Sequence, residues 1–236
     1  MLNRMVADLM TAPAVCVRPG TGVKDIALDL AEHDITAVPV VDDLGHPLGV
    51  ISEADLMAIQ AARPDPAGHL SAAHLPPGER ARARATTAAE LMTSPAVVAR
   101  PQWSVVEAAR TMARHHVKRL PVVDDAEQVV GVVSRSDLLR VFLRADSMIR
   151  QEITTEILTR TLRQDPDAVS VDVTDGRVRL SGAVDPGAVI PVAVRLCESV
   201  DGVVGVENDL YARSGAEADT EAGDRAGARA DTGRRP

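Results

Sequence analysis

The chain has 236 residues, 45% of them apolar and 25% charged, with a formal charge of −8; this is a globular composition, and as a whole it is repelled by phosphate backbones and anionic lipid. Aromatic residues make up only 1% (Trp103, Phe142 and Tyr211), which rules out base-stacking platforms and aromatic cages and leaves an aliphatic core. No run approaches the roughly 18–20 apolar residues that cross a bilayer, and residues 1–11 carry Arg4 and Asp8 where a signal peptide would be hydrophobic, so a cytoplasmic location is expected.

In chain order, a short strand is predicted at Ala14–Val17, then a Pro-marked turn, then a helix carried by Val23, Ile26, Ala27 and Leu30. Two β-rich runs, Val38–Val41 and Leu48–Ile51, flank Asp42-Asp43-Leu44-Gly45 and predict a hairpin. A second helix opens at Ser52 as N-cap and continues through Leu56, Met57 and Ile59. Residues 61–86, rich in Pro, Ala, Gly and Arg, read as a linker; Arg80, Arg82 and Arg84 form either a basic arm toward a ligand or partner or a solvated connector. The whole pattern then repeats at an offset of about 82 residues, with roughly twenty of about fifty positions identical. Leu9-Met10-Thr11 matches Leu91-Met92-Thr93, Pro39-Val40-Val41-Asp42-Asp43 matches Pro121-Val122-Val123-Asp124-Asp125, and Ser52-x-x-Asp55 matches Ser134-x-x-Asp137. In the second copy Ser104 and Glu107 have the spacing of a capping box. Cys16 and Cys197 have no paired spacing and read as small buried hydrophobes rather than a disulfide or metal site.

Beyond the repeats, Ile149, Ile153, Ile157, Leu158 and Leu162 mark one helix face, and Val169, Val171 and Val173 alternate up to Asp175-Gly176. That pair turns the chain into Val178 and Leu180, and the hairpin is expected to end at Gly182. A helix over Ile190–Val200, with Pro191 in its first turn, leads to a last strand through Val204, Val206, Asn208 and Leu210. Residues 214–236 hold no aliphatic side chain larger than Ala and read as a disordered tail.

The repeated strand, helix, hairpin and helix, with Leu-Met-Thr, Pro-Val-Val-Asp and Gly-Val-(Ile/Val)-Ser-x-x-Asp, resembles a tandem pair of CBS domains, over residues 1–60 and 87–146. The α-β-β-α-β order of residues 147–213, with Asp-Gly-x-Val-x-Leu-x-Gly and Val-Asp-Gly-Val-x-x-Val-x-Asn-x-Leu, resembles a BON domain. The resemblance implies an α+β protein: two CBS repeats packed as a pseudo-twofold module, plus a small BON domain. Pairing is also what a unit of about 50 residues needs, since alone it buries too little apolar area.

The CBS resemblance further implies clefts for adenosine-type ligands, with the Ser of Ser-x-x-Asp at phosphate and the Asp at ribose. For the second copy the implied nucleotide site is Thr93, Ala96, Val98, Val117, Lys118, Arg119, Ser134, Arg135 and Asp137; for the first, a weaker one is Thr11, Ala14, Cys16, Ile35, Thr36, Ser52 and Asp55. The copies differ in charge: Lys118, Arg119 and Arg135 stand where the first copy has Thr36, Ala37 and Glu53. Phosphate favours the former, so the second copy is expected to take AMP, ADP or ATP and the first to be empty or to take a less anionic compound such as S-adenosylmethionine. No nucleophile with a base, metal cluster or phosphate-cradling glycine loop is present, so neither an enzyme nor a catalytic cofactor is expected. A homodimer through the CBS modules and a protein partner for the BON segment are expected. Nucleic-acid binding is not, and contact with anionic membrane is disfavoured because residues 147–213 carry more acids than bases. The rival reading is a ligand-free interaction protein that uses its CBS pair to dimerise.

Overall fold

The fold was described from a computed structural model, covering residues 4–63, 68 and 82–213. Arg80, most of the expected linker and the expected tail at 214–236 lie outside the described residues. The first repeat contains helix α1 (Val6–Leu9), helix α2 (Val23–Glu32), the antiparallel hairpin β1 (Ala37–Val41) and β2 (Pro47–Ser52), and helix α3 (Glu53–Ala61). The second repeats it with α4 (Ala88–Leu91), α5 (Val105–Arg114), β3 (Arg119–Val123), β4 (Val129–Ser134) and α6 (Arg135–Leu139). The long helices follow their apolar stripe, although Ile26 and Leu30, or Ala108 and Met112, carry the burial, while Ala27 and Ala109 are exposed. The expected strands at 14–17 and 96–99 shrink to single parallel bridges, Val17 to Val40 and Ala99 to Val122. The short helices α1 and α4 were not expected, because four residues are too few to show a period.

The two repeats exchange their openings. Val6 and Ala7 donate their N–H groups to the carbonyls of Trp103 and Pro101, at 2.8 and 2.9 Å, and Ala88 and Ala89 do the same to Thr21 and Pro19, at 2.9 Å each. Val6 and Leu9 therefore complete the core of the second repeat with Met112, Leu120 and Val133, and Ala88 and Leu91 complete that of the first with Ile26, Val38 and Ile51. Behind each helix the chain continues the exchange: Thr11 trades both backbone hydrogen bonds with Val132 (2.9 and 3.0 Å), and Thr93 trades both with Val50 (3.0 and 3.1 Å). Such close approach needs glycine at the crossing. A Cβ on Gly131 would lie 2.7 Å from Met10 Sδ and 3.0 Å from the Thr11 carbonyl oxygen, and one on Gly49 would lie 2.7 Å from Met92 Sδ and 2.8 Å from the Thr93 carbonyl oxygen.

The third domain has its own core. Helix α7 (Asp146–Glu152) runs on into a π-helical stretch (Ile153–Thr161), and Ile149, Ile153, Ile157 and Leu158 pack on one face of a sheet ordered β5-β6-β7. Strands β5 (Val169–Thr174) and β6 (Arg177–Val184) form the hairpin, turned by Asp175 and Gly176 at φ 51° and 72°. This is the positive-φ pair that a tight hairpin requires. Gly182 does not end β6, which continues to Val184 through a φ of 118° that glycine tolerates. Helix α8 (Ile190–Glu198), with Pro191 in its first turn, then crosses to β7 (Gly205–Ala212), parallel to β6. Cys197 is a core residue of this domain, and burial pushes its thiol up to about 12.

This domain touches the opening of the first repeat, which completes the second repeat's core, and the segment that follows α6. The Asp201 carboxylate accepts the Arg4 backbone N–H at 2.9 Å, and the Asp201 carbonyl accepts Arg144 Nη1 at 2.9 Å. Arg144 is held in turn by Glu152 at 2.7 Å. Gly202, at φ 93°, lies so close that a Cβ would stand 2.9 Å from the Val141 carbonyl oxygen. Among the described residues no helix is long and apolar enough to cross a membrane.

Candidate functional site

Each hairpin ends in a serine that caps the next helix. Ser134 donates its N–H at 2.9 Å and its hydroxyl at 2.6 Å to Asp137 Oδ2, and the Asp137 N–H returns to Ser134 Oγ at 3.3 Å. Ser52 donates to Asp55 Oδ2 in the same way, at 2.8 and 2.7 Å. In both places one carboxylate oxygen is consumed by the cap, and the other, Oδ1, is turned outward. Asp137 and Asp55 are largely buried, with side chains 13% and 11% exposed, and on a buried carboxylate an oxygen outside the cap is a strong acceptor.

A cavity of about 210 Å³ lies over Ser134 and Asp137. Its walls come from both repeats: Thr11, Ala14 and Val15 from the first opening, Asp34, Ile35 and Thr36 from the turn after α2, Ala37 from β1, and Arg119 and Val132 from the second hairpin. Because Thr11 pairs with Val132, the exchange lays the first opening against the second hairpin. Arg119 is opposite Ser134 in the β3–β4 register and is the cation among the lining residues. Burial pushes its guanidinium below the ordinary value, while the carboxylates of Glu53 and Asp137 pull the other way, so Arg119 is a half-buried cation between the acids of both repeats.

The expected sites are thus redistributed. Thr11, Ala14, Ile35 and Thr36, expected around Ser52 and Asp55, line the cavity with Ser134, Asp137 and Arg119. Thr93, Ala96, Val98, Val117, Lys118 and Arg135 are not among its lining residues. The physical reason is the exchange, which sends each Leu-Met-Thr opening to the other repeat's hairpin. Lys118 and Arg135 are exposed, and the Lys118 carbonyl accepts the Arg135 N–H at 2.9 Å; the expected basic trio is therefore reduced to Arg119 at this cavity. Cys16 is half-buried beside it and not a wall. Asp34 was missed. It follows α2 in a left-handed conformation, φ 52°, which Asp adopts more readily than most residues.

Around Asp55 the arrangement differs. Arg82, from the end of the linker, places Nη1 3.4 Å from Asp55 Oδ1 and Nη2 3.3 Å from Thr93 Oγ1. Of the expected linker arginines, Arg82 thus reaches the cleft.

Comparison with known proteins matches stretches of the chain to sequence families. The CBS domain profile matches residues 6–62 and 88–144, and the BON domain profile matches residues 145–213. Among curated proteins, the uncharacterized protein MJ1426 of Methanocaldococcus jannaschii is 27% identical over 157 residues, 59% of this chain and 91% of that protein. Homoserine O-acetyltransferase of Methanococcoides burtonii is 26% identical over 141 residues, which is 60% of this chain but only 25% of the enzyme. The crystal structure of CBSX2 in complex with AMP is 31% identical, covering 59% of this chain and 96% of that one, at a TM-score of 0.49.

Proposed function

The chain belongs to the CBS-domain family, with a BON domain behind its two CBS copies, and from that premise we propose that it is a regulatory protein whose CBS pair senses an adenine nucleotide and relays occupancy to the BON domain. The cavity shared by the two copies carries the reading. Asp137 Oδ1 is positioned for ribose hydroxyls, the backbone at Ile35–Thr36 for an adenine edge, the apolar Ala14, Val15 and Val132 for the base, and Arg119 for phosphate. At about 210 Å³ the cavity is smaller than the ~300–1,000 Å³ of sites that engulf a drug-sized ligand. The nucleoside is enclosed and the phosphate stays at the mouth.

For the relay, the supporting observation is that two segments meeting at the cavity also meet the BON domain. The opening that carries Thr11 begins at Arg4, and the helix that carries Asp137 runs into Val141 and Arg144; Asp201 and Gly202 touch both. A ligand that draws these segments together acts on the BON domain only through its preference for one arrangement over another. The output is a protein contact of the BON domain, in a cytoplasmic, stress-associated setting. The Asp55 cleft, with Glu53 at its helix start, is suited to a less anionic adenosyl compound such as S-adenosylmethionine.

Calorimetry and thermal shift of the full chain with AMP, ADP, ATP and S-adenosylmethionine test the proposal. AMP, the compound in the CBSX2 complex, is the first probe. The expected result is saturable binding with a raised melting temperature; no response to any of the four overturns it. A second reading, a ligand-free dimeric scaffold, is favoured by one observation: Leu139, Phe142 and Leu143 are exposed side by side behind Asp137, an apolar edge that a second copy would cover. It predicts a dimer by sedimentation with no nucleotide response.

A further inference from the structure

Asp55 and Asp137 are equivalent in sequence, capping geometry and burial, yet their outward oxygens are treated differently. Among the described residues, the nearest cation to Asp137 Oδ1 is Arg140 Nη1, 3.9 Å away and beyond hydrogen-bonding range, on a side chain 62% exposed. Asp55 Oδ1 instead receives Arg82 at 3.4 Å, and the other guanidinium nitrogen reaches the Thr93 hydroxyl at 3.3 Å. Thr93 and Asp55 are the counterparts of Thr11 and Asp137, which line the cavity in the other copy. Arg82 thus spans the two positions between which a ligand would lie.

Its backbone is tethered. The Ala85 N–H donates to the Arg82 carbonyl at 3.0 Å, Ala85 is buried in the core of the first repeat, and Thr86 accepts the Val23 N–H at 3.1 Å. The guanidinium therefore competes for Asp55 intramolecularly, at the high effective concentration that a short tether gives.

We infer that Arg82 is a built-in occupant of the first cleft, holding Asp55 and Thr93 against an incoming adenosyl ligand. The inference rests on reading the clefts as ligand sites and adds an asymmetry to it: the Asp137 cleft is open to ligand, and the Asp55 cleft opens only when Arg82 withdraws. Arg82 is 45% exposed, so the latch is weak enough to be displaced. A cleft that is free only a fraction of the time binds with its affinity reduced by that fraction, and release is expected to gain about three- to tenfold.

The test titrates AMP and S-adenosylmethionine into four full-length proteins: wild type, Arg82→Ala, Asp137→Asn and the double variant, each with its melting temperature measured as a check on folding. In the Asp137→Asn background only the first cleft is read, and Arg82→Ala is expected to tighten binding there by about three- to tenfold. Weaker or unchanged binding in the double variant overturns the inference, since Arg82 would then be a ligand contact or a bystander. So does an absence of binding to the first cleft with and without Arg82. If wild type shows no binding that depends on Asp137, while the double variant binds better than Asp137→Asn, the latch stands and the second-cleft reading falls. Should Arg82→Ala unfold the protein, Arg82→Gln, which keeps the chain length and removes the charge, answers the same question.

Discussion

Arg119 is where the charge of the two copies is settled. Its counterpart is Ala37, so the one guanidinium in the cavity wall lies within electrostatic reach of Glu53 of the other copy and of Asp137. A charge-assisted hydrogen bond to phosphate is worth about 1.5–3 kcal/mol. Arg119→Ala is therefore expected to weaken AMP roughly tenfold or more by calorimetry, by that same magnitude, and to leave adenosine within about twofold, because the base and ribose contacts proposed above do not involve it. An equal loss for both compounds would place Arg119 in the scaffold. Ser134 and Asp137 stood out in the sequence because Ser-x-x-Asp recurs in both copies, whereas Arg119 stood out only as a difference in charge from Ala37. Asp34 was not legible, since a single acid in a turn has no pattern, and its place in the cavity wall depends on where the left-handed turn aims the chain.

At the scale of elements, the exchanged openings hold the module together, and glycine permits them. Gly131→Ala forces a Cβ against the backbone oxygen of Thr11, which has no rotamer to escape into. An overpacking cost of about 1–3 kcal/mol in urea unfolding, with weakened AMP binding as Thr11 shifts, is expected. Gly20→Ala is the control, because nothing lies within 4 Å of its would-be Cβ. A second element, α5, is capped by Glu107, whose carboxyl is held below the ordinary 4.5 by the backbone and hydroxyl of Ser104. A depressed carboxyl stabilises the fold above the ordinary value and loses that contribution as pH falls through the depressed one. The stability gap between wild type and Glu107→Gln is thus expected at neutral pH and should close below pH 4.5; a gap constant down to pH 3, or about that, would contradict it. The helices and hairpins could be read from periodicity and from the repeat register. The exchange could not, because Leu-Met-Thr has the same apolar character whichever hairpin it packs on.

In the whole molecule, the Asp201–Gly202 turn is the joint between the CBS pair and the BON domain. Asp201→Ala removes the acceptor of the Arg4 N–H without touching the cavity. AMP affinity should stay within about twofold of wild type, since additivity holds for distant sites. By hydrogen exchange, AMP should protect Thr11–Ala14 and the 200–204 turn in wild type, but only the former in Asp201→Ala; loss of neither or of both would deny the relay. The order of three domains was readable from repeats and alternation. Their docking was not, since it depends on a main-chain N–H and a carbonyl that carry no sequence signature. Whether the second copy's cleft is the nucleotide site is tested most directly by AMP calorimetry on Asp137→Ala beside Asp55→Ala, substitutions that delete the same cap in each copy. Asp137→Ala is expected to lose at least about tenfold in affinity for the tight site while Asp55→Ala leaves that site within about twofold. Equal effects of the two substitutions, or the larger loss from Asp55→Ala, would contradict it.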